Sequence, residues 1–314
     1  MYRLFCGLSL SLLALGAARA QEPDYSKVEI KTTQLAPNLY LLQGGGGNVT
    51  ASVGADGTLI VDDEPAPLAE KIRAALVAVG ATKPVRFVIN THYHFDHTGG
   101  NLAFSQAGAT IIATHELRSR LEKGGSAGNG GSIKREMKPA DPGALPVITF
   151  SHDLTVHMNG EAIHPVHYLD AHTDGDSVVF FPQAGAVAMG DIYVRYGFPF
   201  IDMLGGGSVQ GMIRACEDVL RSIDSKTKVI PGHGELASVA DLREYLKMLR
   251  DTTAAVARGL KAGKSLEQMK KENVLGRWSE RYAPPNAFVN ADAFTESIYL
   301  SLIRRSPKHG GAPG

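Results

Sequence analysis

Short apolar, β-branched runs alternate along this chain with stretches whose apolar residues recur at helical spacing. Runs at 28–31, 39–43, 48–53, 58–61 and 85–90 read as strands in the first third. Later strands are expected at 110–114, 147–150, 154–158, 162–168, 178–181, 187–189 and 228–230. Helical spacing marks 68–79, which stops at Gly80, then 102–107, 116–123, 208–223, 239–262, 265–272 and 292–304. Strands and helices therefore come in two rounds, each followed by a return to strand. That order predicts an α/β fold in a single domain over 21–314.

The connections carry their own signals. Gly44-Gly45-Gly46-Gly47 joins two strands and offers no side chain to a ligand, so it is a plain turn or a flap acting through its backbone. Asn159-Gly160 is a hairpin signal. The glycine- and serine-rich stretch 124–132 cannot pack a core and reads as a mobile loop, either a lid or a solvated connector. Residues 192–204 hold Tyr193, Tyr196, Phe198 and Phe200 in a pattern too irregular for a helix. The tail from Pro307 is expected to be disordered.

The N-terminus changes the picture. Arg3 precedes an apolar stretch over 4–16, and Ala18-Arg19-Ala20 follows as an A-x-A cleavage pattern. The stretch is too short to span a bilayer, so 1–20 reads as a secretory signal peptide and the mature chain as periplasmic or secreted. Cleavage removes Cys6 and leaves Cys216 alone in an apolar helical pattern, so no internal disulfide is expected. Lys plus Arg and Asp plus Glu both number 32, and loss of Arg3 and Arg19 leaves the mature chain slightly acidic. Neither nucleic acid nor an anionic membrane is an expected partner.

The chemistry concentrates in Thr91-His92-Tyr93-His94-Phe95-Asp96-His97, directly after the apolar strand at 85–90. In extended backbone, His92 and His94 point to one side and can grip one ion together. Asp96 and His97 fall where the chain turns towards Thr98-Gly99-Gly100, aimed at a neighbouring point. Imidazole with carboxylate suits zinc-like ions. His172, Asp191 and His233 also sit just after strand runs, so separate strand ends converge on one rim. Seven candidate ligands exceed what one ion needs and suffice for two that share a bridge. Asp62-Asp63-Glu64, at the end of the strand over 58–61, is either a set of partners holding a ligand imidazole or a solvated turn. His157, His164 and His167 read as ordinary strand histidines.

The order His-x-His-x-Asp-His, His-Thr-Asp-Gly-Asp-Ser, Met-Gly-Asp and Pro-Gly-His-Gly resembles the metallo-β-lactamase superfamily. The resemblance implies an αββα sandwich of two mixed β-sheets flanked by helices. It implies that His92, His94 and His172 hold a first Zn²⁺, that Asp96, His97 and His233 hold a second, and that Asp191 bridges them. Asp191 stands where the best-known secreted zinc β-lactamases have cysteine, and Val194 stands where they have a lysine for the substrate carboxylate. Arg195 is the candidate replacement for that lysine.

The expectation is a small-molecule hydrolase in which a zinc-bridging hydroxide attacks a cyclic amide or ester carbonyl, with β-lactam hydrolysis first to test. Asp96 orients the nucleophile, and Tyr193, Tyr196 and Phe198 supply an apolar wall. A lactonase or other (thio)esterase is the alternative. An iron-dependent sulfur dioxygenase is a third reading, but a single-metal enzyme has no need of the His97 and His233 set. Export predicts a mature form that starts at Gln21; intact mass of the periplasmic protein checks it, and a form retaining Met1 refutes it.

Overall fold

The structure, a computed structural model, describes residues 24–304. The expected signal peptide and the tail from Pro307 lie outside the described residues. The first part contributes β1 (Lys31–Ala36), β2 (Leu39–Gln43), β3 (Val49–Gly54), β4 (Gly57–Val61), α1 (Ala69–Ala78), β5 (Val85–Ile89), α2 (Phe95–Thr98), α3 (Asn101–Gln106), β6 (Thr110–Thr114) and α4 (His115–Lys123). A short hairpin of β7 (Gly125–Gly128) and β8 (Lys134–Met137) comes next, then β9 (Ile148–Phe150). The second part holds β10 (Val156–Met158), β11 (Glu161–Tyr168), β12 (Asp176–Phe181), β13 (Ala186–Ala188), α5 (Val209–Ser222), β14 (Lys228–Ile230) and α6 (Val239–Lys261). Then α7 (Leu266–Lys271), α8 (Arg277–Tyr282) and α9 (Ala291–Ile303) close the chain.

One sheet runs β1-β2-β3-β4-β5-β6-β9 and the other β10-β11-β12-β13-β14. Both are mixed. In the first, antiparallel pairing up to β4 gives way to parallel pairing of β4 with β5, β5 with β6 and β6 with β9. In the second, only β13 with β14 is parallel.

Period-two alternation sorts the strand residues into three layers. Leu59, Val61, Ile89 and Ile112 face Ile163, Val179, Phe181 and Ile230 between the sheets. Their neighbours Ile60, Val88 and Ile111 turn outward onto Ile72 and Leu76 of α1 and Phe104 of α3. Val178, Val187 and Val229 turn the other way, onto α5, α6 and α9 through Met212, Leu249 and Phe294. The result is the expected αββα sandwich. Helix α6 starts at a capping box, in which Ser238 and Asp241 satisfy each other's backbone amides.

Three local expectations need correction. Strand pairing begins at Lys31 rather than at 28, because β2 ends at Gln43 and leaves earlier residues without a neighbour. The stretch 124–132 is no free connector: Gly125–Gly128 pairs with Lys134–Met137. That hairpin lacks apolar alternation, and its tip is tied by the Asn129 side chain, which accepts from the amides of Gly131 at 3.0 Å and Ile133 at 2.9 Å. Helix α8 was not expected. As expected, Cys216 is a buried free thiol.

Phe181 fills the space between the sheets and is fully buried. Phe181→Ala should cost about 3–5 kcal/mol through lost burial and the cavity left behind. Urea unfolding should show a lower midpoint at unchanged slope; a loss under about 1 kcal/mol would place that ring outside the core.

Candidate metal centre

Each functional side chain leaves a strand end. His92 and His94 lie in the loop after β5, and Asp96 and His97 in α2. His172 follows β11, Asp191 follows β13 and His233 follows β14. Backbone hydrogen bonds clamp these loops together. The Ser177 amide donates to the Thr91 carbonyl at 2.7 Å, across the two sheets. The Asn48 amide donates to the Gly232 carbonyl at 2.7 Å, and its side chain donates to the Pro231 carbonyl at 2.9 Å. Glycine is required twice here. A Cβ at Gly47 would overlap the His97 ring, and one at Gly232 would overlap the Asp191 carboxylate. The four-glycine turn thus acts by backbone approach: the Gly47 amide donates to the Asp96 carbonyl at 3.0 Å.

All seven predicted ligands meet on one floor. Potential ligand atoms converge in three overlapping groups: His92, His94 and His172; His92, His97 and Asp191; Asp96, His97 and His233. Two contacts are diagnostic. His172 Nε2 lies 3.0 Å from His94 Nδ1, and His97 Nε2 lies 3.2 Å from His233 Nε2. The far nitrogens explain which face is bare. His94 Nε2 donates to Asp202 at 3.0 Å, His97 Nδ1 to Asp62 at 2.8 Å, and His172 Nδ1 to the Phe200 carbonyl at 2.8 Å. The Thr91 hydroxyl donates to Asp62 at 2.7 Å and so accepts from His92 Nδ1 at 3.1 Å. In a neutral ring, each far-side acceptor draws the proton to itself and leaves a lone pair facing the floor. His92 Nε2 is buried with no hydrogen-bond partner. Buried lone pairs aimed at one another are unfavourable unless something positive sits between them. The donor set therefore fits metal ions.

Charge follows the same division. Burial, with the neighbouring His97 and His172 rings, holds the His92 imidazole well below its usual pKa, and burial brings His172 to about 4. Burial also disfavours charge on His97 and His233, but Asp191 and the nearby carboxylates more than reverse it, taking His233 to about 10. His97 and His233 in turn hold Asp96 at about 2 against its burial. Asp62 is the partner anticipated at the β4 end. Asp63 instead accepts from the Gly100 amide at 2.8 Å. Glu64 accepts from the Gly45 amide at 3.1 Å and so holds the glycine turn.

A cavity of about 400 Å³ opens over this floor. Tyr196 and Phe200 form one wall with Phe288, and Phe95 forms another. Hairpin residues Ala127, Ile133, Arg135 and Met137 close the far side. The Arg135 guanidinium stands 4.1 Å above the Phe95 ring.

Of the expected wall residues, Tyr196 lines the cavity, its ring 5.5 Å from His233. Tyr193 and Phe198 do not. Tyr193 packs edge-on against Tyr245 at 4.8 Å, and Phe198 stacks on Phe294 at 4.4 Å, both in the helix-layer core. Arg195 points away as well, donating to the Leu236 carbonyl at 2.9 Å. Without a regular period, the segment gave no clue to which aromatics turn inward. Phe200 had a signal, its place in that run; Phe288 and the hairpin had none. His157, His164 and His167 stay outside the floor, as expected of strand histidines.

A family model for the metallo-beta-lactamase superfamily matches residues 36–233. The chain belongs to that superfamily, a family of hydrolases. It is 28% identical over 173 residues to 2,4-dinitroanisole O-demethylase subunit alpha of Nocardioides sp. (strain JS1661), covering 54% of this chain and 48% of that protein. It is 28% identical over 167 residues to hydroxyacylglutathione hydrolase of Rhodospirillum rubrum, covering 53% of this chain and 54% of that protein. The chain thus spans about half the length of these curated relatives. Among solved structures, the DIM-1 metallo-beta-lactamase aligns with TM-score 0.57 at 19% identity, over 71% of this chain and 99% of that one. A metallo-beta-lactamase from Pontibacter korlensis aligns with TM-score 0.56 at 16% identity, over 71% and 100%. These two likenesses concern the fold.

Glu64 supplies a pH test. Burial raises its carboxyl from 4.5 to about 7. Between those values the folded metal-free protein holds a proton that the unfolded chain has lost, so Glu64 lowers stability as pH rises through that window. Glu64→Gln should remove this loss. The variant should gain on the wild type between pH 5 and pH 8, by up to about 3 kcal/mol, in urea unfolding of the metal-free proteins. A difference that stays flat with pH would show that Glu64 is ionised throughout.

Proposed function

We propose that this protein is a dizinc hydrolase that opens a small cyclic amide or ester by attack of water on its carbonyl, with β-lactams the first substrates to test. The observation that carries the reading is the placement of Asp191. One of its oxygens lies 3.3 Å from His97 Nε2 and 3.4 Å from His233 Nε2, and the other 3.9 Å from His172 Nε2. A carboxylate that faces both histidine sets suits a bridge between two ions, His92, His94 and His172 holding one and Asp96, His97 and His233 the other.

Zinc bound on such a floor acidifies a water towards neutrality and polarises a carbonyl oxygen. The chain's own residues do the rest. Asp96 reaches the cavity floor and lies 3.3 Å from His233 Nε2, placed to accept a hydrogen bond from the attacking water and to orient it. Phe95, Phe200 and Phe288 hold the apolar body of a small substrate and exclude bulk water. Export to the periplasm or beyond, as the N-terminal pattern indicates, favours small extracytoplasmic substrates.

A second reading, a lactonase or other (thio)esterase, draws support from the carboxylate at 191 and from the curated relative described as a hydroxyacylglutathione hydrolase. Hydrolysis of a β-lactam, a homoserine lactone and a thioester by the zinc-loaded protein discriminates between the two. Turnover of none of the three would refute both.

Asp191→Ala should retain one zinc of two and lose activity at least 10–100-fold, the range for residues that only support a ligand. Asp191→Cys should recover the second ion, because thiolate is a good zinc ligand. Metal analysis beside the assay checks both. An alanine variant with two zincs and full turnover would make Asp191 a bystander.

A further inference from the structure

Asp202 lies in the irregular segment after Phe200 and is completely buried. One of its carboxylate oxygens accepts from the Tyr93 hydroxyl and from His94 Nε2, the latter at 3.0 Å. The other accepts from the Gly128 amide at 2.7 Å and the Gly205 amide at 2.8 Å. Its own amide donates to the His172 carbonyl at 3.0 Å. A single side chain thus touches the loop after β5, which carries the predicted ligands His92 and His94, and the end of β7, which begins the hairpin wall of the cavity. The Leu204 amide, donating to the Gly128 carbonyl at 3.0 Å, makes the same junction from the backbone.

We infer that Asp202 is a positioning residue that couples the metal floor to the hairpin wall, so that metal binding at His94 and ordering of residues 125–137 assist each other. The chemistry is directional. A carboxylate accepts and cannot donate, so it holds the His94 proton on Nε2 and leaves Nδ1 bare, 3.0 Å from His172 Nε2. A metal that fixes His94 fixes Asp202, and through it the Gly128 amide. Reciprocity then requires that a docked hairpin strengthen metal binding by the same factor.

Asparagine separates the two connections. In Asp202→Asn the remaining oxygen can still accept from Gly128 and Gly205. The new NH₂ faces His94, where it donates to Nε2 and drives the ring proton to Nδ1, onto the metal face. The variant should therefore lose zinc affinity about 10–100-fold in competition with a chromophoric chelator. In the wild type, saturating zinc should slow hydrogen exchange of the 125–137 peptide. In Asp202→Asn at saturating zinc that slowing should be smaller. Tyr93→Phe removes a donor to the same oxygen without altering His94 and should keep its zinc affinity.

Equal exchange in the wild type with and without zinc would overturn the coupling, and this comparison needs no variant to fold. Zinc affinity unchanged in Asp202→Asn would overturn the positioning role alone. A wild type that takes up no zinc would overturn this inference together with the metal reading of the floor on which it rests.

Discussion

Facing imidazole nitrogens repel one another, as bare lone pairs or as two protonated rings, yet the floor of this cavity presses two such pairs together at 3.0 and 3.2 Å in the protein interior. The rest of the structure depends on that constraint. A solitary buried histidine would rotate to escape it. Here the escape is blocked from behind, because Asp202, Asp62, the Phe200 carbonyl and the Thr91 hydroxyl each hold the far nitrogen. The scaffold accepts a locally unfavourable arrangement that a bound cation converts into a favourable one. Its acidic partners work in the same sense: without a cation, Asp191 and its neighbours draw protons onto His97 and His233.

Holding such an arrangement requires a rigid frame, and the sandwich supplies it. The strand ends that carry the ligands belong to two sheets locked by interleaved aliphatic side chains, so no loop can relax alone. Hydrogen bonds across the gap, from Ser177 to Thr91 and from Asn48 to the turn before His233, convert the packing of the sheets into fixed positions for the rings. Asp62 and Glu64 have left-handed backbone, at φ 62° and 64°, in the same corner. Residues without glycine's freedom are held there by the bonds their carboxylates make to the Thr91 and Gly45 amides, at 2.7 and 3.1 Å.

The wall of the cavity is a different kind of element. The β7–β8 hairpin has little apolar surface of its own and is anchored by polar contacts: Gly128 to Asp202, Asn129 within the tip, and the Ser132 amide to Glu296 at 2.7 Å. Polar anchoring of this type gives a defined position without a deep core, which suits a surface that meets substrate.

The amino-acid sequence by itself determined the layers and the floor. Period-two and helical spacings are local properties, so the strands and the long helices could be read directly, while the αββα order came only from the family resemblance that the ligand motifs carry. The ligands were legible because metal chemistry restricts residue type and spacing tightly, and because each ligand follows a recognisable strand. Only the tertiary structure decided the wall. Whether Phe198 or Phe200 faces the cavity depends on how an aperiodic segment folds over α9, and nothing local records that choice. The hairpin at 125–137 becomes a strand pair because Asp202 and Glu296, 74 and 164 residues away from their hairpin partners, meet its amides. Contacts between residues so distant in sequence have no local pattern, which is why the convergence of the histidines and aspartates could be foreseen and the cavity wall, Tyr196 apart, could not.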